Sequence, residues 1–484
     1  MAGNTTKEKH TYLKKQGMIV ILIVIQLLAV LGLEFVFVKT GLLPIAYQIV
    51  FLACIAVLNV VMVLIRKKKI VSVIFMILSV VCTAVIIYGI FVISKVDNTL
   101  KQVKTETKTE VVSLSAYVLK DDPAESISDL KDADIGYLSF DDAADAFLSE
   151  EEIQSLGMTA TSYDSILNLA DALADGTEQG IILNDDYISM VEEQENYEDY
   201  GDLIKSVYED EVEIKIAEPE EKSGEDLKKD TFTVYISGID MWGAVNARSR
   251  SDVNILAIVN TATGHVQLIN TPRDYYVYLP DKKEYDKLTH AGLYGIDCSK
   301  AALEKLYGTQ IDYYIRVNFS GFESIIDALG GINVYSECDF TVEGIKHYTT
   351  GYNYLNGFEA LNFARERHSF SDGDIQRGRN QMEVIKAIIK KITSPSILAN
   401  YRDVLEEISA CIMMDIPSER IYNLVRYELA TGTKWTVDSY TVTGTGEYKK
   451  TYSMPDRKCF VMIPDKKDVA KAKKLMDSIL SENQ

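Results

Sequence analysis

Phe363-Ala-Arg365-Glu-Arg367-His-Ser-Phe-Ser-Asp-Gly373-Asp374-Ile-Gln-Arg377-Gly-Arg379-Asn-Gln381 gathers guanidiniums, carboxylates and amides into a short span of an otherwise acid-rich chain. Helical patterning at Phe358–Ala364 precedes it, and a second helical pattern at Ile375–Ile392 begins inside it. The segment therefore reads as a helix end, an extended link, a turn permitted by Gly373, and a new helix. In an extended link, residues two apart such as Arg365 and Arg367 point to one side. Asp374, Arg377 and Gln381, at i, i+3 and i+7, share one stripe of the next helix. The two groups can then face each other across a groove with an anion between them. Arginine's planar, permanently charged fork suits bidentate contact with phosphate oxygens. Arg379 lies off the stripe. The competing reading is a solvated ion-pair network in which Glu366, Asp372 and Asp374 neutralise these arginines.

Upstream, Thr231–Ser237 reads as a strand running into Gly238-Ile-Asp240, and Ser249-Arg-Ser-Asp252 precedes a strand at Asn254–Asn260. Val266–Asn270 is the next strand, followed by Thr271-Pro-Arg273-Asp274. Ala301–Tyr307 is helical, Tyr313–Asn318 is a strand, and Ser320–Leu329 is a helix stopped by Gly330-Gly331 before a strand at Ile332–Tyr335. A strand at Cys459–Ile463 and a helix at Asp468–Leu480 close the chain. This alternation makes residues 231–484 one sizeable α/β domain with a layered sheet. Asp240 and Asp252 stand at strand ends, where such sheets bind ligands. Two carboxylates beside a phosphate suit a hard divalent cation such as Mg2+. For each Asp a turn or cap role is the alternative, and for Arg273 simple pairing with Asp274. His290 and His368 have no triad-like sequence neighbours, and neither a Walker A nor a G-x-S-x-G pattern occurs.

The 484-residue chain carries a net charge of −21, which argues against a nucleic-acid partner. A basic cluster in such a background points to a local anion site. Met18–Val38, Ile45–Ile65 and Ile70–Ile93 each approach the roughly 20 apolar residues that cross a bilayer. Lys7, Lys9, Lys14 and Lys15 precede the first span and Arg66-Lys67-Lys68-Lys69 joins the second to the third, so residues 1–17 form a cytoplasmic basic tail. The spans fill residues 18–96, and everything after them is exported. Glu34, near the outer end of span one, reads as a hydrated interfacial carboxylate, with a functional role as the alternative. Residues 97–217 begin as a polar extension of the third span. They continue as a small α/β accessory domain with a strand at Val111–Leu119 and amphipathic stretches at Asp141–Phe147 and Ile166–Leu173. Residues 218–230 have the charge and turn residues of a linker. The six cysteines contain no C-x-x-C pair, which argues against a zinc site; Cys298, Cys338, Cys411 and Cys459 read as free, partly buried thiols, with one or two disulfides as the alternative.

Taken in order, Gly238-Ile-Asp240, Arg250-Ser-Asp252, Thr271-Pro-Arg273-Asp274, Tyr314-Ile-Arg-Val317-Asn-Phe-Ser, Leu329-Gly-Gly-Ile332 and the Arg365–Gln381 segment resemble the LytR–CpsA–Psr family. The three spans and the extra domain are similar to its streptococcal capsule-associated branch. The resemblance implies an α/β/α layered domain with a central mixed sheet. It also implies transfer of a glycopolymer from a polyprenyl-diphosphate carrier to peptidoglycan through a phosphodiester. The polymer would be a capsular or exopolysaccharide, or a teichoic acid, and the acceptor a muramoyl 6-hydroxyl. By position, Arg273, Arg365, Arg367, Arg377 and Gln381 would bind the diphosphate and Asp240 and Asp252 would hold Mg2+. Arg273, Arg365, Arg367 and Asp252 would carry the chemistry, with Asp252 or Asp274 as base and an apolar channel for the lipid tail. Two other readings stay open: a non-catalytic membrane regulator or polyprenyl-phosphate-binding protein, with the acidic domain as its working part, and a polyprenyl-diphosphate hydrolase that uses the same site with water as acceptor.

Overall fold

Three long apolar helices open the chain, α1 (Ala2–Thr40), α2 (Ile45–Leu64) and α3 (Lys69–Glu106). The computed structural model describes residues 2–40, 43, 45–65, 69–106, 109–216, 229–371, 373–394, 408 and 411–481. Within the helices, Gly17–Thr40, Ile45–Leu64 and Ile70–Lys95 are long and apolar enough to cross a membrane. Leu31, Phe35 and Val38 turn outward, as suits a lipid solvent, while Val30, Leu33, Phe37, Ile55 and Ile86 pack among the helices. Glu34 departs from the hydrated reading: its Oε1 is buried with no hydrogen-bond partner among the described residues. Lys39 pairs with Asp97 at 3.0 Å. The basic turn at 66–68 and most of the expected linker lie outside the described residues.

Val103–Lys222, Lys229–Ile416 and Trp435–Gln484 together make a second compact unit. Its first part comprises β1 (Thr109–Leu119), β2 (Asp134–Leu138), α4 (Asp142–Leu148), α5 (Glu151–Gln154), β3 (Thr159–Tyr163), α6 (Ile166–Ala174), β4 (Gly180–Asn184), α7 (Asp186–Glu192), α8 (Tyr200–Leu203) and β5 (Ile204–Lys215). The five strands order as β3-β2-β4-β1-β5, with β2 parallel to β3 and β4, and β1 antiparallel to β4 and β5. Central β4 is buried throughout. Its Ile182 joins one core with Leu114 and Phe147, while Ile181 and Leu183 join the other with Leu169 and Tyr187, the alternation a strand enforces.

The larger part runs β6 (Thr231–Ile239), β7 (Ser251–Asn260), β8 (His265–Asn270), β9 (Tyr276–Leu279), β10 (Glu284–Lys287), α9 (Leu288–Ala291), α10 (Ile296–Tyr307), β11 (Tyr313–Val317) and α11 (Phe319–Ala328). It continues with β12 (Ile332–Ser336), β13 (Phe340–Val342), β14 (Lys346–Tyr348), β15 (Gly351–Leu355), α12 (Gly357–Arg365), α13 (Gly373–Ile392) and β16 (Ile412–Met414). Helix α14 (Ser418–Thr431) follows, then β17 (Thr436–Thr441), β18 (Gly444–Lys449), β19 (Cys459–Pro464) and α15 (Lys466–Ser481). Helix α14 itself belongs to the first unit, where Tyr422 donates to Asp97 at 3.2 Å. The main sheet orders as β16-β11-β6-β7-β8-β17. Pairs β6–β11 and β8–β17 are parallel and the others antiparallel, so the sheet is mixed. Tyr235, Leu256, Ile258 and Tyr314 face a core shared with α10 and α15. A second core, around Ile326, Val334, Phe340, Phe363 and Val384, knits α11, α12 and α13 together.

The two parts of this unit share one core. Tyr187, Met190 and Val191 of α7 cluster with Leu293, Met454, Cys459 and Val461. Beside them Glu110, 2% exposed, pairs with Arg248 at 3.0 Å and with fully buried Arg316 at 2.7 Å. Several expectations shift in detail. Helix α10 starts at Ile296 rather than Ala301 because Gly295 opens it, and β7 starts at Ser251, which puts Asp252 inside the strand. The β9–β10 hairpin, β13 and β14 alternate too briefly to read from sequence. Among the described residues no disulfide joins the six cysteines, and Cys298 and Cys459 are buried.

Candidate active site

Strand β6 ends in a register shift against β7 at Gly238/Ile239. A side chain at Gly238 would lie 2.8 Å from Val253, so only glycine lets the two strands approach here. Beyond the shift, the Asp240 amide donates to the Arg250 carbonyl at 3.3 Å, which turns the Asp240 carboxylate toward Arg250 and Arg365. Helix α12 is started by a capping box between Asn356 and Glu359 and ends at Arg365, so Arg365 is its last helical residue rather than part of an extended link, and Arg367 alone stands on the link that follows. Helix α13 presents Arg377 and Gln381 from its first turns. Close approach to the sheet is allowed by Gly378, where a Cβ would collide with the Asn270 Nδ2.

These elements enclose a cavity of about 630 Å3 between the main sheet and the α11–α12–α13 layer. Asp240, Asp252, Arg273, Arg365, Arg367, Arg377 and Gln381 all line it. The rest of the lining is aliphatic or aromatic for most of its length: Ile236, Ile315 and Val317 from the strands, Phe322 and Ile325 from α11, and Val384, Ile385, Ile388, Ile389 and Ile392 from α13. Ser237, Asn318, Asn362, Glu366 and His368 add further polar groups, so a polar region and a long apolar lining share the cavity. Arg379, off the expected stripe, instead approaches Glu337 at 3.6 Å and bonds Gln376 at 2.7 Å, outside the lining. Asp372 and the side chain of Asp374 lie outside the described residues.

The polar region is ordered by crossed pairs. Arg273 Nη1 donates to both Asp252 oxygens, at 3.1 and 2.9 Å, and Thr289 donates to Oδ1 at 3.1 Å. Arg250 Nη2 lies 3.4 Å from Asp240, and Arg365 lies 3.9 Å from it while stacking 4.1 Å over the Phe319 ring. Arg367 has no acidic partner among the described residues. Burial works to raise the Asp252 carboxyl, but Arg273, Arg377 and Arg250 outweigh it and hold it below its ordinary value. Burial and then the neighbouring Asp252 charge push the Asp240 carboxyl up. Asp274 is turned away from the cavity toward Lys287 at 3.5 Å and Arg273 at 3.8 Å, so as a base it is poorly placed.

Among the described residues no group of three or more His, Cys, Asp or Glu side chains converges to hold a metal. Asp240 and Asp252 do fit a cation of the kind that takes one or two carboxylates plus phosphate oxygens. Burial and the neighbouring Asp252 charge both disfavour the ionised form of Asp240, and a divalent ion held there would offset them. His290, by contrast, is fully buried with Asp286 and Ser453, at 2.8 and 3.1 Å from the same ring nitrogen. Two partners on one nitrogen, away from solvent, make a structural cluster and not a proton relay. Sequence reasoning missed Arg250, Lys287 and Thr289 in the site, because the pairs that define them are long-range.

A cavity that joins several guanidiniums to a long apolar lining has the chemistry to take an amphiphilic anion, here on a chain with three helices long and apolar enough to cross a membrane. The chain matches the LytR_cpsA_psr family over residues 198–471 and belongs to it. It is 32% identical over 233 residues to the polyisoprenyl-teichoic acid–peptidoglycan teichoic acid transferase TagU of Bacillus cereus, covering 47% of this chain and 75% of that one. Against the corresponding transferase TagT of Bacillus subtilis it is 34% identical over 202 residues, 40% of this chain and 62% of that one. Among solved structures, B. subtilis TagV is 26% identical, with 52% of this chain and 98% of that chain covered and a TM-score of 0.45.

Proposed function

We propose that this protein is a membrane-anchored phosphotransferase that moves a glycopolymer from a polyprenyl-diphosphate carrier onto peptidoglycan. The observation that carries the reading is the cavity: its charged mouth matches a diphosphate and its apolar length matches an isoprenoid tail. The names of TagU and TagT support a teichoic acid-like polymer and a peptidoglycan acceptor. The basic N-terminal segment supports a cytoplasmic N-terminus, with everything after the third span outside.

In the reaction, an acceptor sugar hydroxyl forms a bond to the phosphorus nearest the polymer. The bond from that phosphorus to the bridging oxygen breaks, and polyprenyl phosphate leaves with the bridging oxygen. The hydroxyl proton passes to Asp240, whose carboxyl is pushed up by burial, rather than to Asp252, which Arg273 holds ionised. Arg273, Arg365, Arg367, Arg377 and Gln381 hold the diphosphate in line and balance its charge, which is most of what phosphoryl transfer asks of a protein. Mg2+ held by Asp240 and Asp252 would add charge neutralisation when bound.

Full-length protein in detergent, incubated with a polyprenyl-diphosphate glycan, peptidoglycan and Mg2+, tests the reading. A glycan–phosphate–muramoyl product is expected from the wild type and is reduced at least about a hundredfold in Arg365→Ala and Arg367→Ala. A phosphorylated glycan with water as acceptor would instead identify a hydrolase, and undiminished product in both variants would remove these arginines from the mechanism.

A further inference from the structure

Helix α7 of the accessory domain ends beside the mouth of this cavity. Its C-cap residue Glu193 places Oε1 2.7 Å from Arg250 Nη1 and Oε2 3.8 Å from Lys287 Nζ. Each of these cations continues into the site. Arg250 reaches Asp240, and Lys287 reaches Asp274, which in turn contacts Arg273. One carboxylate from the accessory domain thus stands at the junction of two alternating-charge chains that end on Asp240 and on the Arg273–Asp252 pair. Both cations are largely enclosed, their side chains 11% and 7% exposed. The helix bearing Glu193 is anchored by the shared core of Tyr187, Met190 and Val191 and cannot swing freely.

We propose that Glu193 is a positioning residue of the transferase site, so that the accessory domain completes the catalytic centre rather than spacing it from the membrane. The inference rests on the transferase reading. The distances show how it would act. Arg250 is bound closely by Glu193 and only loosely by Asp240, at 2.7 against 3.4 Å. Glu193 therefore holds the guanidinium back and leaves Asp240 free to serve the reaction. Without that counter-charge Arg250 closes onto Asp240 and neutralises it, while the mouth as a whole becomes more positive. The chemical step then weakens although the diphosphate is held as well as before, or better. A contact that served only to join the domains would give another pattern, with lower stability and weaker substrate binding together. Glu193 is 39% exposed while Arg250 and Lys287 are largely enclosed, so its loss also costs some stability, and the two patterns are told apart by kcat and substrate affinity.

The test compares Glu193→Gln, Glu193→Asp and the neighbouring surface change Glu195→Gln in the full-length protein. It measures kcat and KM for transfer, affinity for inorganic pyrophosphate by calorimetry, and Tm. Glu193→Gln is expected to lower kcat roughly tenfold to a hundredfold with KM unchanged or reduced. Its pyrophosphate affinity should be unchanged or higher, and its Tm should fall by no more than a few degrees. Glu193→Asp should recover part of kcat and Glu195→Gln all of it. Wild-type kcat and pyrophosphate affinity in Glu193→Gln would overturn the proposal, as would a fall in Tm accompanied by a raised KM. Arg365→Ala run alongside separates the two ideas. If it abolishes transfer while Glu193→Gln is indifferent, only the role of Glu193 fails. If no variant or wild-type protein transfers glycan, the transferase reading fails and the pyrophosphate affinities alone decide whether Glu193 tunes this site.

Discussion

Gly378 sits between Arg377 and Arg379, and the face it turns to the sheet has no room for a methyl group because Asn270, 5% exposed, is already there. Replacing a helical glycine by alanine ordinarily gains up to about 1 kcal/mol of helix propensity. Overpacking a closed contact costs roughly 1–3 kcal/mol, so the loss outweighs the gain. Gly378→Ala is expected to lower unfolding free energy by about 1–2 kcal/mol in denaturant titration. By lifting Arg377 and Gln381 it should also cut transfer more steeply than stability. Residues of this kind were legible in unequal measure. The spacing of Arg365 with Arg367, and of Arg377 with Gln381, is local periodicity, and the structure brings all four to one cavity. Arg250 and Glu193, 57 positions apart, carry no such signal, and only the fold makes them neighbours.

Among the elements, α13 spans both halves of the site. Its first turns offer charge and an amide, and its later turns offer Val384, Ile385, Ile388 and Ile389 to the apolar length of the cavity. Ile388→Asp would place a carboxylate along that length, partly open to the cavity and hence tolerable to the fold. Unpaired charge in an apolar channel costs a few kcal/mol, so affinity for polyprenyl phosphate, read by fluorescence competition, should fall roughly a hundredfold or more. Unchanged affinity would move the lipid elsewhere. The helix itself was readable, at Ile375–Ile392 against the observed Gly373–Ile392. Its channel was not. A stripe of isoleucines at helical spacing looks the same whether it meets another helix or an empty slot, and Ile236, Ile315 and Val317 on the opposing strands alternate as any buried strand does.

At the scale of the molecule, residues 97–217 and 231–484 read from sequence as two domains joined by a charged linker, and most of both falls in one compact unit with a buried ionic seam between them. Glu110 holds Arg248 and Arg316 in that seam, and Arg316 Nε and Nη2 already lack hydrogen-bond partners among the described residues. Removing one partner of a buried pair strands the other, at a cost of about 3–5 kcal/mol. Glu110→Ala should therefore destabilise the unit by an amount of that order in chemical denaturation, even though Glu110 does not line the cavity. A change below about 1 kcal/mol would mean that the seam is not a structural tie. Glu110 lies 138 residues from Arg248, which is why no reading of local pattern could find the joint.

The long aliphatic lining of the cavity has a kinetic consequence under the proposed chemistry. It meets the same isoprenoid chain before and after the phosphorus changes partners, so its grip cannot favour one side of the exchange. The spent carrier, stripped of polymer and one phosphate, keeps every methyl group the slot holds and competes with the next loaded one. Turnover would then be governed by how quickly the used lipid slips away, and inhibition by product would be the normal condition of the enzyme.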